Sequence, residues 1–267
     1  MRSLPGALAC DPMSWFQDDA VVLDERPHET VAEGVTLRRR GLLRLSAATV
    51  AAGLAAACSS PLRRGATRAA APTEGALDVT AFLDEMMPRA KRFVASGGES
   101  EEAYLMAVGE LMARLQSPTL GETRAAMKGL REQHDPEQGR LEVAVLMFDL
   151  APGKGFSHHD HRDYNGVIMG VGGEAHVTNF DILGDTPVPP RGETFQIRQT
   201  RDDLVLPGRF STLGTRRENV HELIAGPEGA VVLDVFTFLT PGARSFGMTV
   251  DPKPRDAARR IFDASWS

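Results

Sequence analysis

Apolar residues in the middle of the chain follow a helical period. From 77 to 95, Leu77, Phe82, Leu83, Met86, Met87, Ala90 and Phe93 recur at intervals of three to four, and Gly97-Gly98 closes the pattern. A second helix is expected after Ser100-Glu-Glu, with Leu105, Val108, Leu111, Met112 and Leu115 on one stripe, and a short third one over 121–131. The methionines at 86, 87, 106 and 112 keep this spacing and read as core. The texture changes at Leu141. Short runs of Val, Leu, Ile, Phe and Thr, cut by Gly and Pro, follow at 141–150, 166–171, 174–183, 193–199, 203–206, 219–225 and 229–239. Many short strands at near-regular spacing predict a sandwich or barrel. The tail 255–265 reads as a short helix or coil, and no internal repeat is visible.

The first part of the chain has another character. Arg38, Arg39 and Arg40 precede an apolar run of 13 residues, Leu45 to Ala57, broken only by Ser46 and Thr49. A bilayer needs about 20 residues, so the run fits the apolar core of a signal peptide better than a span. The paired arginines followed by Gly41, Leu42 and Leu43 resemble a twin-arginine export signal. Leu54-Ala-Ala-Ala-Cys58 is similar to a lipoprotein box with its leucine one place too far upstream, which leaves lipidation of Cys58 and simple cleavage both open. The organisation expected is an extension and leader over 1–58, a linker over 59–76, a helical segment over 77–135 and a barrel over 136–267. Translation starting at Val35 is a further expectation. The destination implied is the periplasm or cell surface, with membrane attachment only through the leader or a lipid on Cys58.

Composition narrows the chemistry. The chain has 267 residues, a net charge of −6, 42% apolar and 25% charged residues, ordinary for a globular protein. That balance offers no basic face for nucleic acid. The two cysteines, Cys10 and Cys58, both lie in the leader region, so the remainder has no disulfide and no thiolate ligand. A metal would have to be held by nitrogen or oxygen.

Six histidines lie beyond residue 58, and three of them cluster in Phe156-Ser-His-His-Asp-His161. In a strand, alternate side chains share a face. His159 and His161 therefore point one way, and His158 points the other with Asp160. Two imidazoles at i and i+2 can chelate one ion. His158, His134 and Glu222 read as surface residues, and His176 as structural.

The segment resembles the first motif of the cupins. Gly153, five residues, His159-Asp-His161, three residues, Asn165, six residues and Gly172 reproduce its spacing, with Asn165 where cupins carry a ligating Glu. The resemblance implies a jelly-roll barrel and a metal held by histidines alone. Absence of the Glu is similar to the thiol dioxygenases of the cysteine dioxygenase and the cysteamine or plant cysteine oxidase families, which bind ferrous iron through three histidines. Asn219-Val-His221-Glu-Leu-Ile-Ala, followed by Ala230-Val-Val-Leu-Asp234-Val, is similar to the later segment of the cysteamine and plant cysteine oxidases. By that likeness His221 is the third ligand and Asp234 lies beside the metal. Those oxidases follow with Pro-Pro-Tyr; here Phe236-Thr-Phe-Leu-Thr stands instead, and the tyrosines of the chain are Tyr104 and Tyr164. Tyr164 follows the ligand strand and is a pocket candidate, and Arg162 is a candidate clamp for a substrate carboxylate.

The expectation is a mainly β cupin with an N-terminal helical segment. It binds Fe(II) and oxidises a small thiol to a sulfinate with O2. Imidazole also suits Zn, Mn, Ni and Cu. The alternatives are an exported cupin that binds metal or ligand without catalysis, and a Zn or Mn hydrolase or isomerase.

Overall fold

Two long strands, one bent back on itself, organise the barrel. The computed structural model describes residues 75–134, 141–185, 192–240 and 243–267. The extension, the leader, Cys58 and the linker to residue 74 lie outside the described residues. Three helices come first, α1 (Val79–Ala95), α2 (Glu101–Met112) and α3 (Leu120–Gln133). Eight strands follow: β1 (Val143–Leu150), β2 (Gly155–Asp160), β3 (Tyr164–Leu183), β4 (Thr194–Val205), β5 (Phe210–Leu213), β6 (Val220–Phe238), β7 (Met248–Val250) and β8 (Ile261–Trp266). All named pairings are antiparallel: β6 runs along β3, β1 and β2 share the other edge of β6, and β4 and β5 share the other edge of β3.

The runs expected at 166–171 and 174–183 are thus one strand, as are those at 219–225 and 229–239. Irregular register at Gly170–Gly172 and Gly173–Ala175 bends β3, as bulges do. Gly173 has φ +64 and an added Cβ there would meet the Gly229 carbonyl at 2.2 Å, so only glycine fits. The bend folds one half of β3 over the other. Ile168 from one half and Ala175 and Val177 from the other share an apolar cluster with Leu223 and Val232 of β6, and the Asn179 amide reaches the Thr212 carbonyl at 3.1 Å. That interior is the core of a curled, cupin-type double-stranded β-helix.

Alternation along the strands sends every second residue outward. Val143, Val145, Val167, Met169, Leu233 and Val235 face the helices, which contribute Phe82, Met86, Val108 and Met112. The helix ends are explicit in the sequence. Asp78 accepts from the Ala81 N–H at 2.8 Å, and Thr119 with Glu122 forms a capping box. The first turn of α2 is tied to the barrel, where Glu101 accepts from the Asn165 amide and the Thr215 N–H, both at 3.0 Å. Tyr104 meets the Thr237 hydroxyl at 2.7 Å, and burial pushes its phenol up to about 12.

The tail corrects the helix-or-coil expectation. β8 pairs with β4 and β7 and brings Trp266 against Phe195 and Phe246. β7 and β8 cover the outer side of the half-barrel that carries Phe180 and Val220.

Candidate metal centre

His159 and His221 are opposite each other in the β2–β6 register. His161 follows β2, and its N–H donates to the Asn219 carbonyl at 2.7 Å, which continues that ladder. The three side chains converge. Their Nε2 atoms lie 2.8 Å apart for His159–His221, 3.2 Å for His161–His221 and 3.3 Å for His159–His161. His161 and His221 are 0% and 2% exposed. Among the described residues this is the one group of three or more His, Cys, Asp or Glu side chains placed to share an ion.

The donor chemistry fits a cation. His159 Nδ1 lies 2.7 Å from the Ser157 carbonyl. A carbonyl only accepts, so the ring proton sits on Nδ1 and the Nε2 lone pair faces inward. Burial first, and the neighbouring imidazoles second, hold His161 and His221 far below the ordinary histidine value. Burial likewise takes His159 down to about 4. Three neutral imidazoles are what a metal requires of its ligands. Nitrogens each about 2.1 Å from one ion lie about 3.0 Å apart at right angles and about 3.4 Å apart at the tetrahedral angle. The observed separations fall at or near that range, so the three nitrogens can share one ion.

The same shift sets a pH dependence. Unfolded histidine takes its proton near pH 6.5 and folded His159 only near 4, so between these values the unfolded chain holds more protons. Metal-free wild type should lose stability relative to His159→Gln as pH falls from about 6.5 to 4. Paired thermal melts across that window check it, and a difference independent of pH contradicts it.

The wall beside the triad comes from β3 and β6. Tyr164 is buried with its ring centroid 4.3 Å from that of His161, and Phe236 lies 5.9 Å from His161. Burial raises the Tyr164 phenol, whose hydroxyl bonds with Ser245. Ser245 in turn donates to the Asp160 carbonyl at 3.0 Å. Tyr164 thus lies against His161 with its hydroxyl bonded to Ser245.

Asp234 occupies the interior face of β6, opposite Ile168 and Leu146. It is 5% exposed and its Oδ1 has no hydrogen-bond partner. Burial, only partly offset by a hydrogen bond from the Val235 N–H, raises its carboxyl well above the usual range. It lies in the barrel wall, adjoining Gly166 and close enough to Tyr164 for its charge to raise that phenol.

Two expectations change. Asn165 turns outward to Glu101 on α2 at 3.0 Å and takes no place at the metal centre. The inward position beside it is Gly166, where an added Cβ would lie 3.3 Å from Phe236 and 3.5 Å from Asp234 Oδ1. The candidate group is made of histidines, and the inward residue of β3 next to Asn165 is a glycine. Arg162, expected as a substrate clamp, is engaged through Nε, while its buried Nη2 has no hydrogen-bond partner. Its Nε is bonded to Asp160, and its guanidinium lies over Phe246 at 5.1 Å and Trp266 at 4.9 Å. Asp160 is fully buried and also accepts from the Phe246 N–H at 2.7 Å. Arg162 thus pins the 243–247 segment over the ligand strand.

A polar row missed in the sequence crosses the interior. His159, His221, Asn179 and Arg201 are successive neighbours on β2, β6, β3 and β4. Arg201 is ion-paired with Glu218 at 2.8 Å. His176 is exposed beside Asp202, and His158 lies 3.4 Å from Glu222.

No family model matches the chain, and no curated protein matches it. Solved structures match in part. Procruciferin, an 11S globulin from Brassica napus, aligns with a TM-score of 0.31 and 16% identity over 45% of this chain and 24% of that one. Oxalate oxidase in complex with the substrate analogue glycolate gives 0.27 and 22% over 38% and 44%. An uncharacterized protein with a double-stranded β-helix domain from Klebsiella pneumoniae gives 0.26 and 19% over 39% and 72%. The chain spans about a quarter of the length of the globulin it matches. The cupin-type assignment rests on the strand order itself, and with it the chain is a cupin-fold protein whose three-histidine cluster is suited to a metal ion.

Proposed function

We propose that the protein is an iron(II)-dependent dioxygenase of small thiols. The observation that carries this reading is the ligand set: three imidazoles converge on one point, and among the described residues no carboxylate joins the group. Neutral ligands leave a divalent ion its full charge, which favours capture of an anionic thiolate over a neutral alcohol or amine. When bound, ferrous iron supplies the positions where thiolate and O2 meet and the electrons that activate O2. The reaction balances as RSH + O2 → RSO2H, with both oxygen atoms going to sulfur.

The remaining roles belong to the chain. Ser157 fixes the His159 tautomer. Tyr164 and Phe236 wall the triad with apolar surface and exclude water. Asp234, whose carboxyl burial raises, is the group proposed to take up or release a proton, and it is near enough to Tyr164 to affect its phenol. Export by the twin-arginine-type leader belongs to the same proposal, since that route carries folded, metal-loaded protein.

Oxygen uptake by iron-loaded protein with cysteine, cysteamine, 3-mercaptopropionate and a Cys-initiated peptide tests the reading. One O2 per sulfinate with at least one thiol supports it. No uptake with any of them favours the non-catalytic cupin. Asp234→Asn, which keeps shape but cannot hold a transferable proton, should lower turnover by about 10²-fold with metal content unchanged. Unchanged turnover would remove Asp234 from the proton path.

A further inference from the structure

We infer that, when an ion binds the triad, Asn179 takes up the ring N–H of His221 and Asn219 that of His161 on their side-chain oxygens, so that two asparagines orient two of the three imidazoles. The inference rests on the metal centre and not on the identity of the substrate.

Four of the buried polar atoms that have no hydrogen-bond partner, and so are not bonded to one another, are His161 Nδ1, His221 Nδ1, Asn179 Oδ1 and Asn219 Oδ1; a fifth, Arg201 Nε, lies on the residue opposite Asn179. An unpaired buried polar atom is costly because it has lost its water without gaining a partner, so four together call for an explanation. They fall into two pairs on adjacent strands. Asn179 is directly opposite His221 in the β3–β6 register, where Cβ atoms lie about 5 Å apart. Asn219 is joined to His161 through the backbone at 2.7 Å. Both asparagines are buried, at 0% and 4% exposure.

Chemistry matches within each pair. The Nε2 atoms face one another, and an ion bound there takes their lone pairs. Each ring proton then sits on Nδ1, which is a donor. The Asn179 Nδ2 donates to the Thr212 carbonyl at 3.1 Å, and the Asn219 Nδ2 to the Thr215 carbonyl at 3.4 Å. Those bonds leave Oδ1, an acceptor only, as the free atom of each amide. His159 already donates its Nδ1 proton to Ser157; the asparagines give the other two rings the same support. Such outer hydrogen bonds fix ring orientation and raise ligand basicity.

Cobalt(II) serves as the probe, without thiol or oxygen. Each ring N–H held in a hydrogen bond gives a slowly exchanging, hyperfine-shifted proton resonance in the loaded protein. Asn179→Leu should lose one such resonance to exchange and weaken cobalt binding about 10–100-fold. Asn179→Asp keeps an acceptor, so it should keep the resonance, shifted downfield, and bind cobalt within about threefold of wild type. Asn219→Leu should remove a different resonance. Wild-type affinity and an unchanged spectrum in Asn179→Leu would overturn the inference. So would equal weakening by both Asn179 variants with every resonance intact, which marks a space-filling role. If the leucine variant does not fold, the aspartate variant decides: a shifted resonance supports the inference and an unshifted one refutes it. Failure of thiol oxidation leaves this result untouched.

Discussion

His221→Ala should purify without metal and show no oxygen uptake with any thiol. Structural metal sites with four ligands contribute about 10–16 kcal/mol, so one ligand is worth roughly 3–4 kcal/mol, or about 10²–10³ in affinity. Here the loss falls on a set of three, one of which, His159, retains its Ser157 bond and could hold an ion only weakly alone with His161. Metal content after dialysis is the measurement. A His221→Ala protein that keeps one ion per chain would mean that the third ligand lies elsewhere. The same substitution in the metal-free protein removes a ring held neutral by burial, so its fold should survive at neutral pH.

The second large effect is at Gly155, far smaller in chemistry than a ligand but placed at the start of the ligand strand. A Cβ added there would lie 1.8 Å from the Leu223 carbonyl oxygen and 2.9 Å from the Ile224 Cα, backbone on both counts. Gly155 is paired with Ile224 in the register that continues to His159 and His221. Gly155→Ala must therefore part β2 from β6 or unpair its end. Overpacking of this kind costs about 3 kcal/mol, or roughly 6–12 °C in Tm for a protein of this size. Because the displaced strand carries His159, metal affinity should fall about tenfold as well. A melt showing wild-type Tm together with wild-type affinity would show that β2 has slack that its register does not suggest.

The histidine pair was legible because it depends only on strand parity. His159 and His161 share a face wherever the strand goes, and the glycine spacing around them resembles a known motif. His221 was legible through a local likeness, and the register with His159 supplies its geometry. The fourth-ligand position shows where sequence spacing reaches its limit. The motif admits three or four residues before that position, and the count of three lands on Asn165 while the count of four lands on Gly166. Parity decides between them: Asn165 faces α2 with Val167 and Met169, and Gly166 faces Asp234. The inward residue next to Asn165 is thus a glycine, which spacing alone does not distinguish.

Non-local contacts account for the rest. Nothing within 255–265 announces a strand, since β8 exists only because β4 and β7 flank it. Arg162 looked free because its partners, Asp160 aside, lie some 80 to 100 positions later at Phe246 and Trp266. Asn179 sits in Thr178-Asn-Phe with no local signal, and its place beside His221 follows from pairing two strands more than 40 residues apart in the chain. Segment 170–173 carries three glycines, a visible mark of the bend, but two short strands and one bent strand read alike in sequence.

X-ray absorption of the protein loaded anaerobically with iron(II) tests the metal centre and the thiol reading together. The account predicts one iron per chain with three imidazole nitrogens and no protein carboxylate, and a new sulfur neighbour when a thiol substrate is added. A carboxylate or a fourth histidine at the iron, or no sulfur with any thiol of the panel, would contradict it.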